Sequence, residues 1–209
     1  MNHTATSWAE PGFRAQRSPA LGIIRERLGN GNKNRILDLG QATGTTVDYL
    51  SQFRCQVHFT PLDAEPLKPA DDAGEGIRTP ALAIEPGSKF DLILAWDHFN
   101  YLEFDAIAGM VGTLSEHSSP DALLFGLVCT TKQIPNRPMR FTIMDDAHLG
   151  YEIVGNGMAP CPRHRPLDLK ERLPGFRVAR TFLLQNGMQE YLLRYVGPSR
   201  THNPGHAHE

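Results

Sequence analysis

The sequence predicts an α/β fold, a three-layer sandwich in which helices cover both faces of a mixed, seven-stranded sheet. Continuous apolar runs such as Phe90–Trp96 are typical of central parallel strands. Helix-compatible stretches separate these runs, as parallel connections require. The last two apolar runs flank Asn186-Gly187, a hairpin signal that predicts a C-terminal antiparallel hairpin at one edge of the sheet.

The predicted elements occupy residues 18–196, which we interpret as one domain between an N-terminal extension (1–17) and a polar tail (197–209). Ser18-Pro19 opens a first helix, with an N-cap residue followed by proline at the first helical position. The other predicted helices cover 45–53 and 104–115, and the predicted strands are 35–39, 55–62, 77–84, 90–96, 122–129, 176–184 and 190–196. Pro80 interrupts the third of these strands.

The segment 130–165 shows no clear periodicity, and it is much longer than the usual connection of about 4 to 6 residues. Long segments of this kind in compact domains commonly cover functional sites. We therefore expect residues 130–165, called the lid segment below, to form a lid over a site.

Composition narrows the range of partners and locations. The 21 Lys and Arg residues nearly balance the 23 Asp and Glu residues, for a formal net charge of -2, so we expect neither a nucleic-acid partner nor an anionic membrane surface. Three cysteines are too few for a disulfide framework and favour a cytoplasmic location. The first residues lack the pattern of a secretory signal, and no apolar run is long enough to span a membrane.

The motif with the most chemical content follows the first predicted strand. Asp38 ends that strand, and the small residues of the turn Gly40 to Gly44 lead directly into a helix. Such a turn leaves room and backbone N–H groups for a ligand at the carboxyl edge of the sheet, where open α/β folds bind cofactors. This geometry favours a nucleotide-like ligand.

These residues resemble the first motif of the class I S-adenosylmethionine-dependent methyltransferases, an acidic residue followed by Gly-x-Gly-x-Gly. Here the motif reads Asp38, Gly40, Ala42 and Gly44, with alanine in place of the middle glycine. Asp63 stands at the end of the second strand, FDLILAWDHFNYL (90–102) resembles the fourth-strand motif, and 169–196 resembles the last helix and hairpin of that family. The likeness covers about residues 18–196 and implies a Rossmann-like sheet with S-adenosyl-L-methionine as cofactor.

The resemblance also implies roles for individual residues. Asp38 would pair with the cofactor ammonium, the turn residues Gly40, Gln41, Ala42, Thr43 and Gly44 would face its carboxylate, and Asp63 would hold the ribose hydroxyls. Trp96 belongs to the same predicted cofactor site, because it ends the predicted strand 90–96 at the same edge of the sheet. The family often places an acid after its third strand, against the adenine amino group. Here that region reads Thr79-Pro80-Ala81-Leu82-Ala83, so the expected acid is missing, and Glu75 or Glu85 would serve only from a shifted loop.

Asp97 and His98 directly follow the central strand and are the candidate catalytic residues. Either side chain is suited to orient an acceptor or to take its proton, since imidazole titrates near neutrality. A structural role remains the alternative for His98. His148, Cys161 and His164 lack the spacing of a metal site, so we predict no metal. Four arginines of the lid segment, Arg137, Arg140, Arg163 and Arg165, are either solvated or suited to an acidic substrate.

The sequence therefore predicts a methyltransferase that acts on a small-molecule acceptor; it gives neither the acceptor atom nor the oligomeric state. The alternative is a non-catalytic binding or regulatory module of the same fold, favoured by Ala42 and by the missing adenine acid. A nicotinamide-dependent oxidoreductase ranks last, because its Gly-x-Gly-x-x-Gly fingerprint needs glycines where this chain has Ala42 and Thr45.

Overall fold

A computed structural model describes residues 12–62, 81–155, 157–161, 164 and 166–197. Eleven strands, four α-helices and one 3-10 helix occur in these ranges. The strands are β1 (Gly12–Arg17), β2 (Asn34–Asp38), β3 (Cys55–Phe59), β4 (Phe90–Trp96), β5 (Ser118–Cys129), β6 (Gln133–Pro135), β7 (Arg140–Ile143), β8 (His148–Ile153), β9 (Met158–Pro160), β10 (Phe176–Leu183) and β11 (Met188–Tyr195). The helices are α1 (Pro19–Leu28), α2 (Gly44–Leu50), α3 (Phe104–Glu116) and α4 (Pro166–Glu171), with the 3-10 helix at His98–Tyr101.

The main sheet has the strand order β10-β11-β5-β4-β2-β3. Strands β3, β2, β4 and β5 run parallel, whereas β11 pairs antiparallel with β5 and β10 antiparallel with β11. The chain moves outward from β2 to β3 and then returns to the other side of β2 for β4. This reversal makes the space between the carboxyl ends of β2 and β4 the topological switch point, where open α/β sheets bind ligands.

Alternate side chains of the central strands fill two cores, one on each face of the sheet. Ile36 of β2 faces the core covered by α1, α2 and the lid strands, while Leu37 faces the core covered by α3 and α4. The same alternation sends Leu94 to the first core and Ile93 to the second. Both faces of these strands are buried, which explains why the sequence shows continuous apolar runs there.

The lid segment contains regular structure that its sequence did not indicate. Strands β7 and β8 form a three-stranded antiparallel sheet with β1, and β6 pairs with β9. Residues 12–17, assigned from the sequence to the N-terminal extension, thus supply an outer strand of this small sheet. No local pattern predicts the pairing, because β1 and β8 lie far apart in the chain.

The main sheet differs from the prediction in its strand count. In the described part of the chain it has six strands, not seven, because 81–84 form no strand and 77–80 lie outside the described residues. The hairpin of β10 and β11 turns at Asn186-Gly187, where Gly187 has a φ of 81° that favours glycine. Within the described ranges, no helix is long and apolar enough to cross a membrane.

Candidate functional site

The turn after β2 lies at the switch point of the sheet. Asp38 is the last residue of β2, and Thr43 caps α2 by accepting a hydrogen bond from the Thr46 N–H at 3.3 Å. The Thr43 hydroxyl also accepts a hydrogen bond from Thr142 of β7 at 3.0 Å, so the lid segment is attached directly to the turn. Ala42 and Gly44 are exposed, and an added Cβ at Gly44 meets nothing within 4 Å. The methyl group of Ala42, in place of the middle glycine, is therefore on the exposed side of the turn.

Asp38 is almost fully buried, and its carboxylate is held by the protein's own donors. Its Oδ1 accepts hydrogen bonds from the Gly40 N–H at 2.8 Å and from the indole Nε1–H of Trp96 at 2.5 Å. Burial raises the pKa of Asp38 to about 6, although both hydrogen bonds act in the opposite direction. At neutral pH the ionised carboxylate thus fixes the turn and the indole in one arrangement.

Trp96 fills the space beside the turn. Its φ of 48° lies in the left-handed region, which is unfavourable for a bulky residue and is found mainly where the surroundings enforce it. The indole stacks on Phe141 of the lid segment, with ring centroids 5.4 Å apart and an interplanar angle of 3°. A Cβ at Gly40 would lie 2.6 Å from the indole nitrogen, so glycine is needed at position 40 to admit the ring.

His98 begins the 3-10 helix after β4 and is buried. Its Nε2 lies 3.0 Å from the Leu39 carbonyl oxygen. A carbonyl only accepts, so Nε2 carries the proton and Nδ1 keeps a lone pair. Burial lowers the pKa of His98 to about 4, so the imidazole is neutral at physiological pH. The ring therefore offers Nδ1 as a hydrogen-bond acceptor.

Asp97 is also buried, and its side-chain partners belong to the lid segment and the 3-10 helix. Its Oδ2 accepts a hydrogen bond from the Met139 N–H of the lid segment at 3.0 Å and a longer one from the Tyr101 hydroxyl at 3.4 Å. The Tyr101 hydroxyl lies 2.7 Å from the Arg137 carbonyl oxygen, which gives the lid segment a second attachment. Asp97 Oδ1 has no hydrogen-bond partner among the described residues, and burial raises the pKa of this carboxyl to about 7.

A cavity of about 230 Å³ lies between the turn, the end of β4 and the lid segment. Its lining comes from both the predicted motifs and the lid: Leu39, Gly40, Gln41, Pro61, Leu62, Trp96, His98, Arg137, Pro138, Met139, Arg140 and Val154. Among the described residues, this lining contains no carboxylate. Arg140 donates to Glu152 and to Gln41, at 2.6 and 3.1 Å, whereas Arg137 is exposed at the rim.

Four predicted site residues line this cavity: Gly40, Gln41, Trp96 and His98. Asp38 and Asp97 lie behind the lining, and Ala42, Thr43 and Gly44 belong to the turn without lining the cavity. Asp63, Glu75, Arg163 and Arg165 fall outside the described residues, and Glu85 is exposed in the loop before β4. Sequence reasoning missed Met139 and Val154, for which the length of the lid segment was the only signal.

Searches of solved structures give neighbours of low sequence identity. An S-adenosylmethionine-dependent methyltransferase from Clostridium acetobutylicum ATCC 824 matches with a TM-score of 0.50 and 11% identity, over 84% of this chain and 90% of that protein. This chain shares its fold with that methyltransferase. Within the main sheet, β2 and the glycine turn after it lie where the sequence motif predicts a strand and a turn.

Two further solved structures match this chain with lower TM-scores. CalS10, an amino pentose methyltransferase from Micromonospora echinaspora, gives a TM-score of 0.49 and 14% identity over 92% of this chain and 93% of its own. The pyocyanin biosynthetic protein PhzM gives a TM-score of 0.46 and 17% identity over 84% of this chain. The chain spans only about half of the length of PhzM, 54%. No protein-family model and no curated protein matches the sequence.

Proposed function

We propose that this protein is an S-adenosylmethionine-dependent methyltransferase that acts on a small-molecule acceptor. One observation carries the proposal: the cavity at the switch point of the sheet joins the glycine turn to a neutral imidazole under the lid segment. Ligand sites of open α/β sheets occur at this position. The fold shared with the methyltransferase from Clostridium acetobutylicum supports the same choice.

The residues around the cavity fit the cofactor in most respects. Gly40 and Gln41 of the turn form one wall of the cavity, and Leu62 adds an apolar contact. Asp63, the proposed ribose ligand, follows Leu62 in the sequence. Asp38 contributes differently from the sequence-based expectation, because its Oδ1 already accepts two hydrogen bonds from the protein. We assign Asp38 the role of a positioning residue that acts through Gly40 and Trp96.

When bound, the cofactor supplies an activated methyl group and its own leaving group. The chain then has to align the acceptor and exclude water. His98 is neutral at physiological pH, so its Nδ1 can accept a hydrogen bond from an acceptor hydroxyl or amine and orient that group. Asp97 holds the lid segment through Met139, so we assign it a positioning role beside His98. The positive rim at Arg137 favours an acceptor that carries negative charge.

Calorimetric titration with S-adenosylhomocysteine tests cofactor binding directly. We expect saturable binding to the wild type, and a loss of affinity of about tenfold or more in Leu62→Glu, which places a charge beside the cavity. Leu183→Glu is the matched control, because Leu183 is 74% exposed and does not line the cavity. The absence of heat in the wild type at millimolar ligand would refute the methyltransferase proposal.

The hydrogen bond between Asp38 and Trp96 favours a second candidate, a non-catalytic module with the methyltransferase fold. An indole bonded to the motif carboxylate leaves a cavity below the range of about 300 to 1,000 Å³ that is usual for ligand sites. A screen of metabolites for release of S-adenosylhomocysteine separates the two candidates. Turnover of any acceptor excludes the module, whereas cofactor binding without turnover across the screen favours it.

A further inference from the structure

Two buried thiols lie where the lid segment meets the main sheet. Cys129 is the last residue of β5 and is 6% exposed. Its backbone N–H donates to the Asn100 side chain at 2.7 Å, and its sulfur lies 3.0 Å from the Thr131 hydroxyl oxygen. These contacts fix both the backbone and the side chain of Cys129.

Cys161, near the C-terminal end of the lid segment, lies close to the start of that segment. It follows β9, whose pairing with β6 sets Pro160 opposite Gln133, and its N–H donates to the Lys132 carbonyl at 3.0 Å. Cys161 is 8% exposed and packs with Cys129 in one small buried cluster that also contains Tyr101. Two cysteines that are 32 positions apart in the sequence thus belong to the same buried cluster.

The two sulfur atoms interact with each other. A hydrogen bond from the Cys161 thiol lowers the pKa of Cys129, against the opposite effect of burial. Thiolates rather than thiols are the reactive nucleophiles, and a neighbouring thiol is the arrangement in which an oxidised cysteine is converted to a disulfide. Neither sulfur takes part in a disulfide in the structure.

We infer that Cys129 and Cys161 form an oxidation site, at which a small hydroperoxide converts the thiol pair to an intramolecular disulfide. The Cys129 thiolate attacks the peroxide oxygen, the O–O bond breaks, and Cys129 becomes a sulfenic acid while the peroxide leaves as hydroxide or alcohol. The Cys161 sulfur then attacks the Cys129 sulfur and displaces water. Two thiols and one hydrogen peroxide thus give one disulfide and two waters, with the peroxide as the oxidant.

The disulfide would connect the two ends of the lid segment covalently. Strands β6 to β9 all lie between Cys129 and Cys161, and Tyr101 of the same cluster holds the Arg137 backbone through a hydrogen bond. Oxidation therefore fixes the base of the segment that covers the cavity. The inference concerns the chain's own thiols and does not depend on cofactor binding.

Mass spectrometry of the peroxide-treated wild-type protein tests the inference. We expect the intact mass to fall by two hydrogen atoms and peptide mapping without reduction to find Cys129 joined to Cys161. Cys55 is the internal control, because it is partly buried on β3 and burial raises the pKa of its thiol. After treatment, Cys55 should still react with an alkylating reagent once the protein is unfolded.

Variants add a second line of evidence. Cys129→Ser and Cys161→Ser should each abolish the mass loss, and Cys55→Ser should retain it. A near-ultraviolet circular dichroism spectrum identifies any variant that fails to fold, and the wild-type peptide map remains decisive in that case. Oxidation of Cys129 to sulfinic or sulfonic acid without a link, or a disulfide that involves Cys55, would overturn the inference.

Discussion

Replacing Trp96 by phenylalanine tests the unusual pairing of the indole with Asp38. The substitution keeps an aromatic ring against Phe141 but removes the donor that lies 2.5 Å from Asp38 Oδ1. The Gly40 N–H remains as the other donor to this oxygen. We expect a loss of stability whose size depends on pH, because the lost hydrogen bond is made to the buried carboxyl group of Asp38, which titrates.

The magnitude follows from the charge on that carboxyl. Burial raises the pKa of Asp38 from 3.8 to about 6, so the group is ionised at pH 8 and mostly protonated at pH 5. A hydrogen bond to a charged group contributes about 2 kcal/mol and one between neutral groups about 1 kcal/mol. The smaller ring costs about 1.5 kcal/mol at either pH. Trp96→Phe should therefore lower the free energy of unfolding by about 3.5 kcal/mol at pH 8 and about 2.5 kcal/mol at pH 5.

The sign agrees with proton linkage. The folded protein binds the Asp38 proton more tightly than the unfolded chain, so this group's contribution to stability falls as pH rises from 3.8 to about 6. Because the indole hydrogen bond lowers the pKa of Asp38, its removal raises that pKa and increases the loss at high pH.

Urea unfolding of the wild type and Trp96→Phe at pH 5 and pH 8 measures the difference. Phe141→Leu is the matched control, since it removes the stacking partner without changing a hydrogen bond, and its effect should be the same at both pH values. Asp97 also titrates in this range, but it does so in both proteins and cancels in the comparison. An equal loss for Trp96→Phe at pH 5 and pH 8 would refute the argument.

Three further predictions concern the turn, the imidazole and the lid attachment. Gly40→Ala should lower the free energy of unfolding by about 1 to 3 kcal/mol, measured by thermal unfolding, because the added Cβ would lie 2.6 Å from the indole. Gly44→Ala is the control and should be neutral, since its Cβ would meet nothing within 4 Å; equal effects of the two substitutions would contradict this reasoning. Nuclear magnetic resonance titration should find His98 neutral from pH 8 down to pH 5, since burial lowers its pKa to about 4, and a midpoint near 6.5 would disprove the assigned state. Thr46→Ala should lower the free energy of unfolding by about 1 to 3 kcal/mol, because the buried Ile143 N–H loses the Thr46 hydroxyl oxygen that accepts its hydrogen bond at 3.0 Å. Thr46→Ser keeps that acceptor and should retain most of the stability. Similar midpoints of urea unfolding for the two variants would rule this explanation out.

The sequence predicts the parallel part of the main sheet well for a physical reason. Strands buried on both faces must be apolar throughout, so β4 and β5 appear as continuous apolar runs, and small residues mark the turn after β2. The turn at Asn186-Gly187 is equally local, because its backbone conformation selects glycine. Each of these features depends on residues that are close together in the chain.

The features that the sequence did not predict depend on distant contacts. The indole of Trp96 and the carboxylate of Asp38 are 58 positions apart, and no spacing rule indicates that they form a hydrogen bond. The pairing of β1 with β8 joins residues such as Gly12 and Ile153, and short strands of mixed polarity give no clear periodicity. Asp38 therefore appeared free to bind a ligand, whereas in the structure the protein itself uses one of its oxygens.

The position of β1 has a consequence for shortening the protein. Strand β8 lies between β1 and β7, and six of its residues are paired with β1. A truncated chain that begins at Pro19 would leave the backbone N–H and C=O groups of β8 unpaired along a new sheet edge. Exposed edges of this kind recruit strands from other molecules. Expression trials that remove the first eighteen residues should therefore yield self-associating material, and N-terminal trimming should stop before Gly12.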